Sequence, residues 1–170
     1  MIKKEVLDAI NAQINAESYS AYLYLSMAAY FEDMGLSGFA NWMKVQYQEE
    51  AAHALKFFNY LTERNGKVVL KAIDQVPVDF GGIVDVFEKT QVHEAHVTDL
   101  INNLMNVAMT ANDHASQSFL KWFIDEQVEE EANVQKILDT LKLIDGQGNG
   151  IFMMDREFGQ RVFVDPNAAV

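Results

Sequence analysis

Four stretches of this chain repeat apolar residues at helical spacing, and each stripe is interrupted near its middle by residues that a hydrophobic core rejects. The first runs Val6, Ile10, Gln13, Glu17, Ala21, Tyr24, Ala28, Phe31, and the second Phe39, Trp42, Met43, Gln46, Glu50, His53, Phe57, Leu61. The third runs Ile83, Phe87, Thr90, Glu94, Val97, Ile101, Leu104, Ala108, and the fourth Leu120, Phe123, Gln127, Glu130, Val134, Ile137, Leu141. Steps of three and four keep each set on one helix face. A carboxylate on a buried face is strongly unfavourable unless a cation neutralises it.

The interruptions are in register with one another. Glu17 and Glu50 lie 33 residues apart, as do Glu94 and Gln127, and a shift of 77 carries Glu17 to Glu94, Glu50 to Gln127 and His53 to Glu130. The chain therefore reads as two helix hairpins, each offering a carboxylate from one helix and a polar i, i+3 pair from the next. That is the ligand pattern of a dinuclear metal site inside a four-helix bundle. The competing reading is that the acids pair with basic residues in the core. Lys and Arg total only 13, however, and none falls on the four stripes.

The connections fix the topology. The first helix is expected over Lys3–Asp33, closing at Gly35, and the second from an N-cap at Ser37 to a left-handed stop at Asn65-Gly66. A short link makes these two antiparallel. Residues 67–81 then carry Val68, Val69, Leu70, Ile73 and the helix-breaking Pro77, ahead of Gly81-Gly82. Fifteen extended residues reach about 50 Å, enough to travel the length of the bundle. One long crossover between the second and third helices follows. The third helix is expected over Gly82–Ala111, Asn112-Asp113 forms a turn and N-cap, and the fourth helix continues to Ile144. Residues 1–145 form the bundle. Residues 146–170 add a glycine-rich linker (146–150), a short helix with Ile151, Met154 and Phe158 on one side, and a tail, all within the same domain. Because the bundle core is already complete, self-association is the expected cover for that short apolar stripe.

Composition narrows the chemistry. With no cysteine, disulfides, thiol catalysis and cysteine-zinc sites are excluded, so a buried metal must use Glu, Asp, His or Gln, which favours iron or manganese. A formal net charge of −12 argues against nucleic acid as a partner and suits a protein that gathers cations. Glu5 and Asp8 break any apolar run near the start, and the most lipid-like stretch, 19–31, is too short to span a bilayer. No membrane partner is expected, and the expected compartment is the cytoplasm.

With Glu17, Glu50-x-x-His53, Glu94 and Gln127-x-x-Glu130 placed on four helices, the chain resembles the bacterial non-haem ferritins over nearly its full length, crossover and short fifth helix included. The resemblance implies an all-α, ferritin-like four-helix bundle. It also implies an iron-storing shell of twenty-four subunits, each of which oxidises Fe(II) with O2 or peroxide and passes Fe(III) to a mineral. Carried across, Glu17, Glu50 and His53 match one iron site and Glu50, Glu94 and Glu130 the second, with Glu50 bridging. Gln127 matches the polar residue lining that diiron centre. Glu49, Glu126, Glu129 and Glu130 match a third, outlying iron site, and Tyr24 matches a tyrosine beside the centre, either as redox partner or as an interior aromatic with a satisfied hydroxyl.

Two departures from neighbouring families matter. Bacterioferritins repeat the Glu-x-x-His motif on the fourth helix and carry a haem-binding Met after the second-helix glutamate. Here those positions read Gln127-x-x-Glu130 and Ala51, so no haem is expected. A diiron carboxylate oxidase or peroxidase that builds no cage is the alternative enzyme, and a metal-free helical interaction module the alternative of another class. Glu131, His93, His96 and His114 are expected at the surface, and Trp122 and Phe123 as packing.

Overall fold

The computed structural model describes residues 2–168; Met1 and the last two residues of the expected tail lie outside them. Its helices are α1 (Lys4–Asp33), α2 (Ser37–Glu63), α3 (Ile83–Thr110), α4 (His114–Ile144) and α5 (Gly148–Phe158). The four long ones pack as an all-α bundle. Their stops follow local chemistry: Gly35, Asn65, Asn112 and Asp145 adopt positive φ just past α1, α2, α3 and α4. Glycine and the short polar residues tolerate that left-handed conformation best. Asp113 caps α4 by accepting from the Ser116 N–H at 3.1 Å, as expected. It also pairs with Arg64, which ties the end of α2 to the start of α4.

The crossover, residues 64–82, contains no helix or strand and runs along α1 from one end to the other. At one end Asn11 donates to the Lys67 carbonyl (3.1 Å) and accepts from the Val69 N–H (2.7 Å). At the other, Ser26 donates to the Pro77 carbonyl and Tyr30 to the Phe80 carbonyl. Val76 and Phe80 bury their side chains against the bundle, while Leu70, Ile73 and Val78 stay exposed. These anchors satisfy backbone groups that an irregular segment would otherwise leave unpaired. No described helix is long and apolar enough to cross a membrane.

The core is divided. One apolar cluster gathers Met27, Phe31, Phe39, Met43, Phe87, Val134 and Leu138, and a second gathers Val6, Ile10, Phe57, Leu61, Ile101, Leu104 and Leu120. Between them lie the buried polar residues Gln13, Glu17, Ser20, Gln46, Glu50, His53, Glu94, Gln127 and Glu130. Four in-register interruptions in the sequence have become one polar layer.

Two expectations are corrected here. Ser37 does not cap α2: it is the first helical residue, and no side chain at the preceding position takes the role. The cap comes from the other end of the sequence, where Asp155 Oδ1 accepts from the N–H groups of Gly38 (2.8 Å) and Phe39 (3.0 Å). The short helix, for its part, starts at Gly148 inside the expected linker and lies on its own bundle. Met154 is buried, and Phe158 meets Phe39, Trp42 and Phe87 with ring centroids 5.0–6.2 Å apart. The stripe did need covering, but the ends of α2, α3 and α4 provide it. What α5 leaves exposed is its other side, at Phe152 and Met153.

This docking requires Gly38, because a Cβ there would sit 1.6 Å from the Asp155 carbonyl oxygen. Asp155→Ala is expected to cost about 1 kcal/mol of stability, the usual worth of an N-cap. Gly38→Ala should cost more, since α5 must lift away. Urea unfolding checks both, and faster proteolytic cleavage near residue 147 should accompany the glycine variant.

Candidate metal centre

Each helix delivers its polar residue because the apolar residues one turn above and below it are locked in the two clusters. Glu17, Glu50 and His53 converge from α1 and α2, each with a ligand atom within 4.8 Å of the others. His53 Nδ1 lies 3.6 Å from Glu50 Oε2, and His53 Nε2 lies 4.0 Å from Glu126 Oε1 on α4. Trp122 and Phe123 pack edge-on against the imidazole, at centroid distances of 5.4 and 6.0 Å, and limit its rotation. They are packing residues, as expected.

The second half comes from α3 and α4. Tyr24 donates its hydroxyl hydrogen to Glu94 Oε1. Gln127 Nε2 reaches Glu94 Oε2 at 3.2 Å, the Glu94 carbonyl at 3.3 Å and Thr98 Oγ1 at 3.3 Å. Glu130 Oε2 accepts from Gln46 Nε2 at 3.0 Å, and Glu17 Oε1 accepts from Gln13 Nε2 at 2.8 Å. Each of these carboxylates is thus held by one or two neutral donors and keeps acceptor capacity for something else.

Gln13 and Gln46 were visible on the stripes but carried no assigned role. The signal was there: they are separated by the same 33 residues as Glu17 and Glu50, and each sits four residues before the carboxylate of its own helix.

The electrostatics are those of acids without counter-charge. Among the described residues, no Lys or Arg pairs with Glu17, Glu50, Glu94 or Glu130. Burial, followed by Glu50, pushes Glu17 well above the ordinary carboxylate range, and burial, followed by Glu94, does the same to Glu50. Glu130 is raised to about 8 by burial and then by Glu94. Burial also raises Glu94, against the opposing hydrogen bonds from Tyr24 and Gln127. Near neutral pH the empty cluster therefore holds protons. Glu50 Oε2 and His53 Nε2, both buried, have no hydrogen-bond partner, and neither does Gln46 Oε1. Such orphans are rare in a folded core and call for a ligand. Carboxylates, one imidazole and amide oxygens form a donor set suited to iron or manganese.

Beside this centre, Glu126 is half-buried and raised by burial, and Glu129 is exposed on the same helix. Glu49 is engaged: Arg161, in the segment after α5, pairs with it at 2.7 Å. The outlying residues are thus near the centre without forming a closed cluster with it. Two expectations of plain surface residues also change. His93 is half-buried in the α1–α3 seam, 2.8 Å from Ser20 Oγ and edge-on to Tyr24, with its pKa lowered to about 4 by burial and then by His96. Glu131 is half-buried and accepts from Thr98 at 2.5 Å. His96 and His114 are exposed, as expected.

Comparison with known proteins places this architecture. The Ferritin-like domain family matches residues 7–144. The chain belongs to the ferritin family. It is 46% identical over 161 residues to a bacterial non-heme ferritin of Bacteroides fragilis, covering 95% of this chain and all of that one. The corresponding Campylobacter jejuni ferritin is 40% identical over 156 residues, covering 92% and 93% of the two chains. Among solved structures, a closed form of the Archaeoglobus fulgidus ferritin engineered by site-directed mutagenesis superposes with a TM-score of 0.95 at 44% identity, covering 96% of this chain and 100% of that one. The open-pore ferritin of the same archaeon gives 0.93 at 44% identity, covering 95% and 100%. The ferritin likeness therefore includes the crossover and α5, not the bundle alone.

Proposed function

We propose that this chain is the subunit of an iron-storage ferritin, which oxidises Fe(II) at the buried centre and passes Fe(III) to a mineral enclosed by a shell of twenty-four copies. The observation that carries the reading is the buried, unpartnered Glu50 Oε2, set 3.6 Å from His53 Nδ1 and beside Glu17 with no cation to balance it. Glu17, Glu50 and His53 hold one Fe(II), and Glu50, Glu94 and Glu130 the second, with Glu50 shared. Two neighbouring Fe(II) ions each give up one electron, and O2 takes both with two protons to become hydrogen peroxide. Paired transfer avoids release of superoxide.

The surrounding residues prepare this step. Burial pushes Glu17, Glu50 and Glu130 toward their protonated forms when the centre is empty, so arriving Fe(II) competes with protons for these carboxylates. Gln13 and Gln46 each fix one oxygen of two of the carboxylates, Glu17 and Glu130. Tyr24 does the same for Glu94 and stands close enough to act as a local electron donor. Gln127, a neutral and weak donor, leaves the second ion less firmly held than a carboxylate would, which suits a site that must release its product. Glu49, Glu126, Glu129 and Glu130 offer the next stop on the outward side.

Size-exclusion chromatography of aerobically iron-loaded protein, with iron measured in each fraction, tests the storage reading. Iron should co-elute with an assembly many times the 19.3 kDa chain mass. A monomer or dimer that carries no more than two iron ions per chain would leave a small diiron oxidase instead.

A further inference from the structure

The segment after α5 has no regular structure, yet it is fastened along α2 in the direction of that helix. Asn41 Nδ2 donates to the carbonyls of Phe158 and Arg161, both at 2.9 Å, and Asn167 Nδ2 donates to the Ala52 carbonyl at 2.9 Å. Between these anchors, the Arg161 guanidinium lies 4.7 Å from the Trp42 ring centroid and donates to the Trp42 carbonyl at 3.3 Å. Its other nitrogen holds Glu49 at 2.7 Å, with both partners mostly buried. Glu49 immediately precedes Glu50 in the sequence. The unpartnered Nε2 of buried His53 points from the centre toward Glu126 on the adjoining helix. Among the described residues, Glu49 is thus the carboxylate of this outward group that a Lys or Arg pairs with, and Arg161 is that partner.

We propose that Arg161 is a tethered counter-ion for Glu49, and that a metal ion arriving at Glu49 and Glu126 displaces it and loosens the segment 159–168 from α2. The proposal rests on the reading of these acids as an outlying metal site. The chemistry is a competition between like charges. Glu49 cannot give the same lone pairs to a guanidinium and a divalent ion, and the two cations repel each other at that range. Arg161 loses little by leaving, since it can remain over Trp42 and solvate its free nitrogens. Entry of the ion therefore exchanges one cation for another on Glu49, which keeps the empty site from holding an uncompensated buried charge. The same exchange links occupancy of the outlying site to the order of the C-terminal segment.

The test uses the assembled full-length protein and Zn(II), which binds without redox chemistry. Isothermal titration should resolve tight binding at the bundle centre and a weaker ion outside it. Hydrogen exchange of residues 159–168 should accelerate only as the weaker ion binds. Arg161→Gln should tighten that weaker ion about two- to fivefold, the scale set by removing a partly exposed ion pair, and should make exchange in the segment fast and insensitive to Zn(II). Arg161→Lys should fall between the two proteins. A weaker ion that binds with equal affinity to wild type and Arg161→Gln, with exchange unmoved, overturns the counter-ion role and leaves the outlying site standing. Absence of any weaker ion in both proteins overturns the site reading and the proposal with it.

Discussion

Replacing Glu50 with alanine is expected to lower the rate of aerobic Fe(II) oxidation on the order of a hundredfold, because the proposed centre would lose its shared carboxylate from both ions at once. No neighbour can stand in. Glu17 is held by Gln13, Glu94 by Tyr24 and Gln127, and Glu130 by Gln46, whereas Glu50 Oε2 alone among them is buried without a partner. Glu17→Ala, which removes a ligand from one ion only, should be less severe. Stopped-flow growth of ferric absorbance measures the difference. Undiminished oxidation by Glu50→Ala would place the chemistry elsewhere on the protein.

The metal-free protein should lose stability as pH rises from about 4.5 to 8 and recover it when a divalent ion is added. The sign follows from Glu130, whose ordinary value of 4.5 is raised to about 8 in the folded chain, with Glu17 and Glu50 raised in the same direction. In that window the folded chain holds protons that the unfolded chain has released. Stability is therefore full below the unfolded value and declines as pH climbs toward the folded one, by up to about 1.4 kcal/mol per pH unit for each such group. Zn(II) at a hundred times its dissociation constant adds about 2.7 kcal/mol, worth roughly 5–10 °C in Tm for a chain of this size. Glu50→Leu should raise the Tm of the empty protein and flatten both responses, since an unpaired buried acid is replaced by an apolar side chain. Differential scanning calorimetry with and without metal reads all three. A Tm that ignores saturating metal would contradict a site in the core.

Much of this architecture was legible in the sequence because its strongest constraint is periodic. The offsets of 33 and 77 residues place Glu17, Glu50, His53, Glu94, Gln127 and Glu130 at one depth, and the structure gathers them into one layer. Helix ends at Gly35, Asn65 and Asp113 were readable because left-handed stops and N-caps are local events. What escaped is non-local. Asp155 caps a helix 117 residues earlier in the chain, and no spacing rule reaches that far. The stripe on α5 announced that something covers it but not that its own bundle does so. His93 lies off the stripe of α3, yet the α1–α3 seam encloses it because Ser20 and Tyr24 face it across the gap. Arg161 sits in a segment without periodicity, so nothing linked it to Glu49 before the chain was folded.

The central claim, that two ions share Glu50 inside the bundle, is tested most directly by anomalous diffraction at the iron edge from crystals exposed to Fe(II). Two peaks between the four long helices are expected, one against Glu17, Glu50 and His53 and the other against Glu50, Glu94 and Glu130, with Glu50 touching both. Peaks confined to the protein surface, with Glu50 and His53 still unligated, would contradict the account.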